Sequence, residues 1–523
     1  MQEYLQEKKT VALGAGFGMF GYALSTILGI LTNVVLYRRF DHNSEVELWV
    51  VAFSFFAILE PFARLGLAEG VQRFIGIAWV KNDWGRVRGA ILGSLQLSGL
   101  ASLIMILGVF FWAPFIGSIH SSGSVSPERL AKVVRCFSIY LLPIALTTIS
   151  LAILRALNDI RHSVLVETMI QKFGWFLVVL GIGFLPPTEH RVIGLVWGMV
   201  LVNVLAFLIS ISYYGKAAPK LKNIAPIYER KALLLFSLPL VFQTAILIFM
   251  KKCDILVLSH YYLGEGLAAQ YNAAGIATLV IANILVAYSS LFAPLIAKVS
   301  EQKDYKRMKE LYQTVTRWML YITLPAAAMM LLFPEQILQI FKLTPTPLLK
   351  DTLRLLVCAQ IVSTVAGHSG TMLVMSGYSR LTLYINILAV GINLVLNFLL
   401  IPGYSMAGAA VATLASISIR NVLAVLLTFL LVKSHPFSFS TLTISFTAIL
   451  CGLAAYFLFP FVQNLLPKNA CFQNWGVQLL LAGLLYLVFY APATLLTMHR
   501  DDRRFLFDEV LPRLRQGFAA KHS

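Results

Sequence analysis

The sequence predicts an all-α integral membrane protein of about 14 transmembrane helices, arranged as two six-helix pseudo-symmetric lobes followed by two C-terminal helices. Three observations carry this. Apolar residues make up 58% of the 523-residue chain and charged residues only 13%, whereas soluble domains run near 45–50% and about 25%. Apolar windows of roughly 19 residues, enough for a helix to cross a bilayer, recur along the whole length. The two halves also echo each other. Ile77-Ala78 followed by Asp83-Trp84-Gly85-Arg86 returns as Ile296-Ala297 followed by Asp304-Tyr305-Lys306-Arg307. Leu185-Pro186 and Gly194-Leu195-Val196 return as Ile401-Pro402 and Gly408-Ala409-Ala410, at a separation of about 215–220 residues.

The spans centre near Ser25, Phe55, Leu103, Pro143, Trp175, Leu201, Leu247, Ile281, Leu324, Val362, Gly391, Ala415, Cys451 and Leu485. The first, from Val11 to Tyr37 behind Lys8 and Lys9, is too long for a signal-peptide core and reads as an uncleaved span. Its Gly14, Gly16, Gly18, Gly21 and Gly29 suit close helix packing. Six spans separate corresponding features of the halves, an even number, so the repeats run parallel. The chain divides into a first lobe at 1–215, a second at 216–435, two added helices at 436–498 and a basic cytoplasmic tail at 499–523. That tail carries Phe505, Leu506, Val510, Leu511 and Leu514 on what reads as an apolar face.

The net charge of +18 does not point to nucleic acid, because the basic residues lie between the apolar runs rather than in one block. With the N-terminus inside, about 26 Lys and Arg fall on the cytoplasmic side and about 7 on the other, which places both termini in the cytoplasm. The five cysteines have neither disulfide-framework nor metal spacing. There is no Walker, zinc or nucleophile-elbow motif, so no cofactor, metal or enzymatic activity is expected.

Charges inside the spans are the candidates for function. Burying one in hydrocarbon costs roughly 2.5–3.5 kcal/mol on insertion scales, so such groups face a partner or a wet cavity. From Lys231 to Tyr262 one apolar run holds Lys251, Lys252 and Asp254, and Gln243, Leu247, Lys251 and Asp254 recur at helical spacing. Elsewhere lie Glu60, Arg64, Arg135, Arg155, Glu167, Lys172, Arg317, Arg354 and Arg420. Basic groups outnumber acids, which implies an anionic ligand or a hydrated cavity. Lys251, Lys252, Arg64, Arg135, Arg317 and Arg420 are the expected cationic set. Asp254 and Glu60 are expected to balance charge or carry a coupling ion, although Glu60 and Arg64, four apart, can also pair. Gln243, Gln360, Thr364 and His368 are expected to line the cavity with polar groups.

Particular stretches carry a resemblance. They are Asp254 through Tyr271 to Gly275, Pro294 to Arg307, and Leu399 to Thr413 with Pro402, Gly408 and Ala409-Ala410. In the first half they are Arg64 to Trp79, with Gly66, Arg73 and Ala78, and Leu154 to Arg161. In order and spacing they resemble the Wzx-type flippases of lipid-linked oligosaccharides, within the multidrug/oligosaccharidyl-lipid/polysaccharide exporter superfamily. The resemblance implies alternating access through a two-lobed bundle of the bacterial inner membrane. It implies a cationic cavity for undecaprenyl-pyrophosphate-linked sugar units, as for O-antigen, and coupling to protons or sodium. Contacts with other polysaccharide assembly proteins are implied as well. Peptidoglycan-precursor flippases resemble the chain less, since Val11–Leu36 holds no arginine. A drug exporter would need a net acidic cavity. A glycan polymerase would present catalytic acids on a long loop, and Pro114–Leu130 and Phe333–Asp351 are short and poor in them.

Overall fold

The computed structural model describes residues 21, 24–41, 45–119, 126–185, 190–217, 224–465, 474–499 and 502–503. The glycines at 14, 16 and 18, the start of the first span and the tail beyond 503 lie outside these. Every regular element among the described residues is helical. In chain order they are α1 (24–39), α2 (Glu47–Arg64), α3 (Leu67–Val80), α4 (Trp84–Ile119), α5 (Pro127–Ala156), α6 (Ile160–Leu165), a π-helical segment (Val166–Phe173), α7 (Gly174–Gly183) and α8 (Arg191–Ala217). There follow α9 (Arg230–Tyr262), α10 (Leu267–Glu301), α11 (Tyr305–Leu332), α12 (Pro334–Ile340), α13 (Pro347–Val365), α14 (Ser369–Met375), α15 (Ser379–Val432), α16 (Phe439–Leu465) and α17 (Trp475–Thr497).

Eleven described helical stretches are long and apolar enough to cross a membrane, where the sequence predicts about 14. The difference arises at three places. Much of the first predicted span falls outside the described residues. The tenth is broken between α13 and α14 at Gly367, whose φ of 60° ends the helix. The eleventh and twelfth run together as the 54-residue α15, interrupted only at Ser405 with φ 52° and ψ −133°. At 1.5 Å per residue α15 would be about 80 Å long if straight, well beyond one bilayer core of roughly 30 Å.

The chain forms two compact units, Met1–Ala273 with Leu394–Ala409, and Ala274–Asn393 with Ala410–Ser523. In the first, Leu67, Val71 and Ile75 of α3 pack with Val87 and Ile91 of α4 and Ile149 and Ile153 of α5. An aromatic stack joins Trp49 and Phe56 of α2 to Phe137 of α5, and Trp49 to Trp175 of α7, at centroid distances of 5.0 to 5.2 Å. In the second, Phe292 and Ile296 of α10 pack with Met308 and Tyr312 of α11 and Met372 of α14. Tyr486 and Tyr490 of α17 pack with Ala448 and Cys451 of α16. Lipid is as apolar as these side chains, so close packing rather than escape from water holds such helices together.

One close approach depends on glycine. The strap before α9 lies on α4, where Ile227 N–H donates to the Gly85 carbonyl at 2.9 Å and the Arg88 guanidinium donates to the Ile224 carbonyl. A Cβ at Gly89 would run into the carbonyl oxygen of Ile227. Gly89→Val is therefore expected to lift the strap and cost about 1–3 kcal/mol, as overpacking does. Thermal unfolding of the purified protein measures it, and an unchanged midpoint would mean that the strap yields freely.

The repeat seen in the sequence has a backbone counterpart. Between α3 and α4, Asn82 takes φ 53° and the Asp83 carboxylate caps Arg86 N–H at 3.1 Å. Between α10 and α11, Lys303 takes φ 54° and Asp304 caps Arg307 N–H at 3.0 Å. The turns after α5 and α14 place Asn158 at φ 61° and Gly377 at φ 91°. Each left-handed residue ends one helix and re-aims the chain into the next.

Candidate functional site

The expected residues divide between the units, and each is described within its own. In the first unit α9 presents Gln243, Leu247 and Lys251 on an exposed face. Lys251 lies 11 residues before the end of α9, Tyr262, or about 16 Å along the axis. It makes no ion pair or hydrogen bond among the described residues. Lys252 is half-buried, its Nζ 5.5 Å from the centre of the Phe53 ring, a cation–π contact.

Asp254 is buried, at 3% exposure, and neutral donors hold its carboxylate. Tyr271 Oη donates at 2.7 Å from α10 and Asn397 Nδ2 at 2.6 Å from α15. Through these two hydrogen bonds the carboxylate ties α9 to α10 and to α15. Glu60 and Arg64 of α2 form an ion pair at 2.9 Å across Pro61. Arg135 of α5 leans on α4, its Nε donating to the Phe110 carbonyl at 3.4 Å and its guanidinium 5.2 Å from the centre of that ring.

In the second unit Arg317 is buried and bound by both carboxylate oxygens of Asp502, at 2.9 and 3.2 Å. Its charge is thus spent inside the protein. Arg354 pairs with Asp351 at 3.0 Å. Arg420 of α15 is half-buried and has no ion pair or hydrogen bond among the described residues. His368, at the start of α14, is 4% exposed. Its Nδ1 meets Ser289 Oγ at 2.9 Å and its ring stacks on Phe292 at 5.2 Å, while Nε2 is buried without a partner among the described residues. Thr364 donates to the Gln360 carbonyl at 2.9 Å, so its hydroxyl serves its own helix, and Gln360 is half-buried. The structure therefore sorts the cations: Arg64 and Arg317 have carboxylates, whereas Lys251, Lys252 and Arg420 have none among the described residues.

Residues 239–399 match the MatE family model. An uncharacterized membrane protein of Methanocaldococcus jannaschii is 21% identical over 425 residues, covering 78% of this chain and 81% of the relative. Among solved structures, the lipid II flippase MurJ in an inward closed conformation superposes with a TM-score of 0.71 at 17% identity, over 91% of this chain and 98% of that one. An inward-facing multidrug resistance MATE transporter of the MOP superfamily gives 0.64 at 13% identity, over 78% and 94%. A MOP superfamily transporter from Pyrococcus furiosus, described as having a binding pocket of reversed polarity, gives 0.57 at 14% identity, over 82% and 96%. The chain has the MOP-superfamily transporter fold.

Within this MOP fold several polar groups matter that the sequence did not single out. Glu47, fully buried at the start of α2, accepts from the backbone N–H groups of Gly264, Gly266 and Ala268 at 2.6, 3.1 and 3.2 Å. It is the acceptor at the N-terminus of α10, where the first amides of a helix lack partners within the helix. Beside it Arg191 binds Glu45 at 3.2 Å and lies over Phe40. Tyr271 and Asn397 were also missed. Only the Gly264-x-Gly266 turn gives any local hint of these partners, since a tight glycine turn exposes amides that need an acceptor.

Proposed function

We propose that the chain is a flippase that moves an undecaprenyl-pyrophosphate-linked oligosaccharide, such as a surface polysaccharide repeat unit, across the bacterial inner membrane by alternating access. The observation that carries this reading is the presence of cations within apolar helices that make no ion pair among the described residues, Lys251 and Lys252 in the first unit and Arg420 in the second. An intramembrane cation without a partner calls for a polar, hydrated setting and an anionic visitor. Lys251 and Lys252 attract the pyrophosphate, with Arg64 and Arg135 held in reserve by their present contacts. Asp254, buried and held by Tyr271 and Asn397, takes up and releases the coupling proton or sodium ion. Gln243 offers a hydrogen bond to sugar.

Reconstitution tests the reading. In vesicles carrying a fluorescent lipid-linked oligosaccharide in one leaflet, the purified chain is expected to speed its transfer, and Asp254→Asn to remove most of the dependence on an ion gradient. No transfer above protein-free vesicles, together with extrusion of lipophilic cations, would move the assignment to the drug-exporting branch of the same fold.

A further inference from the structure

The first unit holds a second polar cavity, lined by residues of α5, the π-helical segment, α7 and α8. The π-helical segment Val166–Phe173 interrupts the span Ile160–Gly183, and such wide turns collect at functional positions. It carries Glu167, Gln171 and Lys172 to a cavity of about 270 Å³, whose other walls include Arg155 of α5, Trp175 of α7 and Asn203 of α8.

Charge and depth limit what this cavity can face. Lys172 is exposed, 11 residues before the end of its span at Gly183, or roughly 16 Å along a helix. It has no ion pair or hydrogen bond among the described residues. An ammonium at that depth is not stable against lipid, so the cavity is wet. Arg155 is already matched, its Nη2 2.6 Å from Glu167 Oε2 and its Nε 3.0 Å from Ser163 Oγ. The cavity therefore holds one net positive charge, on Lys172. Gln171 Nε2 donates to Asn203 Oδ1 at 2.9 Å, which leaves the Gln171 carbonyl oxygen as an acceptor. Trp175 is braced by stacking on Trp49 at 5.1 Å and forms an aromatic wall.

We propose that this cavity binds a sugar bearing a single carboxylate, as part of the translocated glycan. The carboxylate meets Lys172, the hydroxyls meet Gln171 and Glu167, and the apolar side of the ring lies against Trp175. Glu167 argues against a phosphate. Its carboxylate repels a dianion and occupies the one guanidinium that could grip phosphate with two bonds, yet it accepts readily from hydroxyls. The inference rests on the flippase reading and names a substrate class for it.

The test is calorimetric titration of the purified full chain with a glucuronate-containing disaccharide, its neutral glucose counterpart and inorganic phosphate. The acidic sugar is expected to bind about tenfold more tightly than the neutral one, a difference that one charge-assisted contact supplies. Lys172→Gln should abolish that preference without weakening the neutral sugar, and Lys172→Arg should keep it. Equal binding of the two sugars, a preference that survives Lys172→Gln, or phosphate binding as tightly as the acidic sugar each overturns the proposal. Preference without vesicle transfer would leave the cavity assigned and the flippase reading wrong. Transfer without preference would do the opposite.

Discussion

Asp502→Ala is expected to destabilise the purified protein by roughly 3–5 kcal/mol, the cost of stranding a buried charge. Arg317 and Asp502 are 6% and 5% exposed, and the pair closes through two parallel hydrogen bonds. Thr314 Oγ1 accepts from Arg317 at 3.2 Å and Trp318 Nε1 donates to Asp502 at 3.0 Å, so each ion has further support. Removing the carboxylate leaves a guanidinium that cannot shed its proton. Replacing both partners at once, Arg317→Met with Asp502→Leu, should recover most of the loss, because an apolar pair of similar volume needs no compensation. Thermal unfolding in detergent reads both. Wild-type stability in Asp502→Ala alone would show that the ion pair does not hold α11 to the segment after α17.

The second large effect concerns transport. Lys251→Ala with Lys252→Ala is expected to cut glycan export by about 10- to 100-fold, since a charge-assisted hydrogen bond contributes roughly 1.5–3 kcal/mol. The two positions should differ. Lys251 is exposed and makes no ion pair or hydrogen bond among the described residues, so its loss should lower transport and leave stability within about 0.5 kcal/mol. Lys252 lies over Phe53, so its loss should lower both, stability by about 0.5–2 kcal/mol. Arginine at either position should restore part of the transport. Surface glycan measured at matched protein levels checks this. Full export by the double alanine variant would take both lysines out of the substrate path.

What the sequence made legible was periodic or local. The spans could be read because roughly 20 apolar residues in a row have few uses other than crossing a bilayer. The Glu60–Arg64 pair could be read because four residues is one helical turn. The α9 face was only half legible. Helical spacing places Gln243, Leu247, Lys251 and Asp254 on one side, but spacing does not say what covers that side. Near Lys251 it is open. Three residues on, Tyr271 and Asn397 close over Asp254, and Asn397 lies 143 residues further along the chain. The counterion of Arg317 was hidden for the same reason, 185 residues away in a stretch that reads as a basic tail. Lys172 was visible as a charge but not as part of a site. Only the π turn and the walls from α5 and α8 reveal the cavity beside it.

The three amides gathered on Glu47 bear on how this molecule can move. Gly264, Gly266 and Ala268 sit at successive points of one turn and share a single carboxylate. Pulling α2 from the start of α10 strains all three hydrogen bonds together, because they end on one buried carboxyl group. The joint therefore behaves as a snap fastener rather than a hinge: it is shut, or it lets go all at once and floods.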